Sequence, residues 1–204
     1  MTYYHWILVA GFFIFFISAL IFIITVILKK GIPDPSKTKG NINAAIAYSF
    51  TGAMSPGKKE SAYLHLPTYA AGIIFHIGTF LSFFWLIILF FNIPIIEILI
   101  YLSAAFIIIS SICGISILIK RIIKNELREL SNPDDYISNI LVTAFQIITA
   151  ITLFFQYSYS LLFVYAAILF LYMPIGKLRH SIYFFTSRIH LGKYFGHRGV
   201  WPVK

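Results

Sequence analysis

The chain has 204 residues, 59% hydrophobic, 18% aromatic and only 11% charged, with a net charge of +9. Soluble domains carry about 25% charged residues, so the composition excludes a soluble globular protein and points to an integral membrane protein. The charge excess lies in the segments between the apolar runs and in the C-terminal tail, which argues against a nucleic-acid-binding surface and for a membrane topology signal.

No Asp, Glu, Lys or Arg occurs in Met1–Leu28, Ser61–Ile96, Ile98–Ile119 or Tyr136–Gly176. A helix that crosses a bilayer needs about 20 consecutive apolar residues. The last run is long enough for two, and Gln156-Tyr-Ser-Tyr-Ser160 divides it. The runs predict helices over 6–28, 67–91, 95–119, 137–156 and 160–180. The expected fold is an all-α, five-transmembrane-helix bundle forming a single membrane domain over 1–204. A transmembrane barrel would show alternating segments, whereas these runs are continuously apolar. The first run lacks a basic leader and a small-residue cleavage site, so it is expected to be a retained helix.

Between the first two helices lie Lys29, Lys30, Lys37, Lys39, Lys58 and Lys59. Between the third and fourth lie Lys120, Arg121, Lys124 and Arg128. Lys177, Arg179, Arg188, Lys193, Arg198 and Lys204 close the chain. The other turns, Asn92-Ile-Pro94 and Tyr157–Ser160, carry no Lys or Arg. Basic loops face the cytoplasm, which places the N-terminus outside and the C-terminus inside. The same charges offer a surface to lipid head groups or to a partner protein. The loop Lys29–Leu66 and the basic, aromatic tail 181–204 are too small for a soluble catalytic domain. The tail is expected to lie on the membrane as a short amphipathic helix. No internal repeat of the kind common in transporters is visible.

Gly52-Ala-Met-Ser-Pro-Gly57-Lys58-Lys59 matches the spacing of a phosphate loop. Such a loop needs Ser or Thr after its lysine and a strand before it; Lys59 stands at the first place and no strand is expected at the second. The segment reads as a solvated basic loop. The single cysteine, Cys113, rules out an internal disulfide, a cysteine-held iron–sulfur cluster and C-x-x-C-H haem attachment.

Two histidines break the apolar pattern: His76, in Phe75-His76-Ile77-Gly78, and His180, in Pro174-Ile-Gly-Lys177-Leu-Arg-His180. Polar side chains at membrane depth are costly and usually functional. Histidines on two helices are a simple way to hold a haem within a bilayer. His76 lies about 15 Å from the cytoplasmic end of its helix at 1.5 Å per residue. His180 closes the antiparallel fifth helix, in the same leaflet. Gly72 and Gly78 flank His76, and Gly176 precedes His180 by one turn, which suits a flat macrocycle. Lys177, Arg179 and Arg188 are candidate partners for haem propionates. The bland alternatives are a histidine bonded to a neighbouring helix, an interfacial histidine at a helix end, and ordinary topology charge.

Five helices with these two histidine elements resemble the gamma subunit of respiratory nitrate reductase. They also resemble its relatives, the membrane cytochrome b subunits of heterodisulfide reductase and sulfite-reduction complexes. The resemblance implies a haem b with His76 and His180 as axial and metal ligands. It implies electron exchange between membrane quinone and an iron–sulfur partner within a multi-subunit respiratory complex of the cytoplasmic membrane. Nitrate-reductase members hold a second, outer haem, whose ligand positions correspond here to Leu86 and Leu162. One haem is therefore expected within the hydrocarbon. His65 and His190, offset from the main pair by 11 and 10 residues, form an alternative second pair. His5 and His197 are expected to stand outside the ligand set. The expected role is a non-catalytic electron-transfer subunit, with a cofactor-free structural anchor or small transporter as the rival reading.

Overall fold

The computed structural model describes residues 2–29, 35–58, 60–155 and 159–202. The protein is all-helical, with no strand among the described residues. The described residues form eight α-helices: α1 (Tyr3–Leu28), α2 (Ile42–Phe50), α3 (Leu66–Phe90), α4 (Glu97–Ile123), α5 (Asn125–Glu129), α6 (Pro133–Phe155), α7 (Tyr159–Tyr172) and α8 (His180–His197). Among the described residues, α1, α3, α4 and α6 are each long and apolar enough to cross a membrane. A fifth span exists only if α7 and the segment after it count as one. The chain is a multi-pass membrane protein.

The first four expected helices match observed ones to within a few residues, and the fifth needs correction. Helix α7 stops at Tyr172, and a 3-10 turn over Lys177–Arg179 leads into α8. Pro174 lacks the N–H that a helix interior requires. A side chain on Gly176 would overlap the Tyr172 ring. His180 is therefore the first residue of α8 and not the last of the fifth span. The expected break at Gln156-Tyr-Ser lies outside the described residues. Helix α6 begins earlier than the apolar run, at Pro133, because Asn132 and Asp135 cap it reciprocally. The Asp135 N–H donates to Asn132 Oδ1 and the Asn132 N–H to Asp135 Oδ2, each at 3.0 Å. Pro133 suits the first helical position, where no N–H is needed.

Within the expected single membrane domain the chain forms two compact units. Unit 1 comprises Met1–Phe16 and Pro67–Leu178, and unit 2 comprises Ile17–Leu66 and Arg179–Lys204. In unit 1 one apolar cluster joins Leu8 of α1 and Leu86 of α3 to Val142 and Phe145 of α6 and to Leu162, Phe163 and Leu169 of α7. A second joins Trp85 and Ile88 of α3, Ala104 and Ile107 of α4, and Ala150 and Leu153 of α6. Helices α3 and α6 contribute to both. Lipid is as apolar as a leucine core, so helices in a membrane associate through close packing and hydrogen bonds. Gly78 lies so close to α4 that an added Cβ would overlap the Ser110 side chain. Ser110 Oγ donates to the Ile74 carbonyl at 3.0 Å. Gly11 of α1 faces the Ala167 backbone of α7 closely too, at 3.0 Å for an added Cβ.

Unit 2 gives structure to the expected loop and tail. The segment Lys29–Leu66 contains α2, and the tail is mostly α8, packed antiparallel on it. Asn41 caps α2, its side chain accepting from the Ala44 N–H at 3.0 Å. An added Cβ on Gly192 would stand 2.5 Å from Ile46 Cα, and one on Gly196 2.7 Å from Ala45 Cβ. Ser49 Oγ donates to the Arg188 carbonyl at 3.0 Å. Trp201 packs between the rings of Tyr48 and Phe195. The exposed circumference of α8 mixes Phe185, Ile189 and Tyr194 with His190 and Lys193.

Overpacking a close contact costs about 1–3 kcal/mol. Gly78→Ala is expected to lower the thermal midpoint of the purified protein by disturbing the α3–α4 contact. Gly192→Ala is expected to speed tryptic cleavage after Lys37 and Lys39, just ahead of α2, measured as loss of intact chain, because the Ile46 backbone cannot yield.

Candidate functional site

His76 lies in the third turn of α3 on a face shared with Ile73, Ile77 and Phe80, all exposed, Phe80 to 73%. His76 is itself exposed. The opposite face of the same helix carries Gly78, Ser82 and Trp85, all buried. An imidazole therefore sits on an apolar, outward-facing helix surface. One turn earlier, a Cβ added to Gly72 would meet nothing within 4 Å. The three glycines expected around the macrocycle thus separate. Gly72 leaves open space beside His76, Gly78 is filled by Ser110, and Gly176 is filled by Tyr172.

The inner face of α3 is tied down at the level of His76. Gln146 of α6 is fully buried, and its Nε2 donates to the Phe75 carbonyl at 2.9 Å and to Thr79 Oγ1 at 2.8 Å. Thr79 Oγ1 in turn donates to the same carbonyl at 2.8 Å, and Ser110 Oγ lies 3.4 Å from it. Sequence reading missed Gln146. The signal for it was present: a lone amide in the apolar run Ile140–Phe155, where a polar side chain needs a partner.

His180 is exposed and opens α8. It belongs to unit 2, and His76 to unit 1. The candidate propionate partners are divided in the same way. Lys177, in unit 1, donates to Asp135 Oδ1. Arg121 of α4 also reaches Asp135, at 3.5 Å. Asp135 is buried, so two cations hold one carboxylate where α4 ends and α6 begins, and Lys177 is engaged there. Tyr172 donates to the neighbouring Asp134. Arg179 is exposed, and the Arg188 guanidinium lies 5.6 Å from the centre of the Phe184 ring. His65 closes a 3-10 segment and His190 lies in α8; both are exposed.

The other histidines have defined surroundings. The His197 ring contacts Thr38 Oγ1 and the Ser36 carbonyl, each at 2.9 Å, and its own carbonyl accepts from the Lys39 N–H at 2.8 Å. It latches the approach to α2 onto α8. His5 packs 5.0 Å from Phe163 and 5.5 Å from Phe90, with Nδ1 2.8 Å from Thr2 Oγ1. Leu86 and Leu162, at 4% and 0% exposure, lie in one buried apolar cluster, so protein side chains fill that level between α3 and α7. Gly52–Lys58 of the phosphate-loop pattern follows a helix and folds back on it. Gly52 abuts the Tyr48 ring and Lys58 Nζ lies 5.5 Å from its centre. Among the described residues, no group of three or more His, Cys, Asp and Glu is placed to hold a bare metal ion.

No family model matches this chain, and no curated protein or solved structure is significantly similar to it.

Removing the charge of Asp135 leaves Lys177 and Arg121 facing a neutral amide. Hydrogen bonds to charged groups contribute about 1.5–3 kcal/mol, so Asp135→Asn is expected to lower the thermal midpoint clearly. Lys177→Met should have a smaller effect, because the Lys177 side chain is 54% exposed.

Proposed function

We propose that the protein is the haem-carrying membrane subunit of a respiratory redox complex, moving electrons between quinone and an iron–sulfur partner. The observation that supports this reading is the imidazole of His76 on the outward apolar face of α3, beside the open space at Gly72. Leucine or isoleucine is enough to satisfy lipid on an exposed helix face. An imidazole among Ile73, Ile77 and Phe80 brings ligand chemistry to a surface that lipid alone does not require. The local chemistry fits a macrocycle, whose faces are apolar and whose iron takes imidazole nitrogen.

In this reading His76 and His180 would hold the haem. The bound haem supplies one-electron redox chemistry. A haem held by two histidines would carry electrons without binding a substrate, and the subunit would not be catalytic by itself. Arg179 and Arg188 are the cations of unit 2 suited to propionates, and Lys177 is instead balanced by Asp135. His65 and His190, both in unit 2, are the ligands of the alternative second haem.

Charge supports a docking role for unit 2. It holds eleven of the sixteen Lys and Arg residues and two of the seven acidic ones, so it carries the whole excess of +9. Unit 1 balances five basic residues with five acidic ones. A cationic body joined to membrane helices suits a cytoplasmic face, with the N-terminus outside, in the cytoplasmic membrane. The iron–sulfur and catalytic subunits would dock on it, next to anionic lipid.

The rival is a cofactor-free structural anchor. It is favoured by the buried polar side chains of unit 1, which are spent on helix–helix hydrogen bonds such as those of Gln146 and Ser110. Reduced-minus-oxidised spectra of the purified protein separate the two. A b-type signal is expected, together with its loss in His76→Ala and in His180→Ala. A colourless wild-type protein would favour the anchor, and full haem retention in either variant would remove that residue from the ligand set.

A further inference from the structure

We infer that Gln146 is a positioning residue for His76: its amide, bonded to the Phe75 carbonyl, sets the rotation and depth of α3 at the histidine. The significance of that position rests on the proposed role of His76 as a ligand, but the mechanical claim does not.

The Phe75 carbonyl and the His76 N–H belong to one planar peptide group. Gln146 Nε2 donates to that carbonyl at 2.9 Å and to Thr79 Oγ1, one turn on, at 2.8 Å. It therefore grips the single turn that carries His76. Ser110 of α4 holds the preceding carbonyl, that of Ile74, at 3.0 Å. Successive residues of an α-helix are separated by about 100°. With the Phe75–Thr79 edge bonded to α6 and Gly78 pressed on α4, His76 has one direction left, outward with Ile73, Ile77 and Phe80. A small rotation of α3 would move the imidazole around the helix and break both bonds of the amide.

The other end of the amide argues that cohesion is not the reason for it. Gln146 Oε1 is buried and has no hydrogen-bond partner among the described residues. An apolar side chain of the same length would fill the volume without stranding an acceptor. The two donor bonds both act on α3, where they fix geometry.

The test uses the full chain in lipid vesicles, with Cys113→Ser and His76→Cys carrying a nitroxide label. Electron paramagnetic resonance then reads side-chain motion, and collision with oxygen or a nickel chelate reads depth. Gln146→Met is expected to split the spectrum at position 76 into two components and to shift its depth. A control label at Ile98→Cys, on the exposed face of α4, should stay unchanged. Thr79→Ala, which removes one acceptor of the amide, should shift position 76 in the same direction by less, and decides the matter if Gln146→Met does not fold. An unchanged signal at 76, or equal changes at 76 and 98, would overturn the inference. In the chain with His76 intact, Gln146→Met is expected to keep its haem and shift the low-spin g values. If the wild-type protein proves to hold no haem, the ligand reading fails, and the nitroxide result still decides the role of Gln146.

Discussion

The structure of unit 1 depends on one contact, where α3 meets α4 and α6 around Gly78, Ser110 and Gln146. In hydrocarbon there is no water to drive apolar surfaces together, so helices hold through close approach and hydrogen bonds. Gly78 permits the approach by having no side chain. Ser110 and Gln146 then bond to backbone carbonyls of α3. Hydrogen bonds of this kind average about 0.6 kcal/mol in membranes. Two or three of them do not dominate stability, but they hold α3 in one rotation. Everything on the outer face of that helix, His76 included, inherits its direction from this inner contact.

Unit 2 follows a different physical rule. Its helix α2 is short, and the exposed surface of α8 mixes apolar side chains with His190 and Lys193. The two helices are held by backbone proximity at Gly192 and Gly196 and by the bonds of Ser49 and His197. The Gly-x-x-x-Gly spacing leaves a groove along α8 into which Ala45 and Ile46 of α2 fit. The result concentrates the charge of the protein in one body. The connecting segment between α4 and α6 is also rich in Lys and Arg. There, however, Glu126, Glu129, Asp134 and Asp135 offset them, and Arg121 is paired with Asp135.

The spans were legible because their signal is local: an uninterrupted apolar run of bilayer length has few other uses. The early start of α6 was also local, and could have been read from Asn132-Pro133-Asp134-Asp135 as a capping pattern. The end of α7 was harder. Pro174 and Gly176 stand in the sequence as breakers, but the continuing hydrophobicity of the run outweighed them. The candidate site was legible in one respect, the two histidines in apolar surroundings. Of the glycines around them, the sequence could not distinguish Gly72, beside open space, from Gly78 and Gly176, which are closed by a neighbouring helix and by Tyr172.

The sequence by itself determined that the chain is helical, that it lies in a membrane, and roughly where it crosses. These follow from composition and run length, and no neighbour can change them, because an apolar run in water or an unpaired backbone in lipid is too costly. Tertiary structure decided which glycines are contacts and which are space, and that Lys177 belongs to Asp135. It decided that the loop and tail pair as α2 and α8, and that Gln146 grips the turn of His76. Apart from the local contact of Gly176 with Tyr172, each of these depends on residues tens of positions apart meeting face to face, and a linear pattern carries no record of which faces meet.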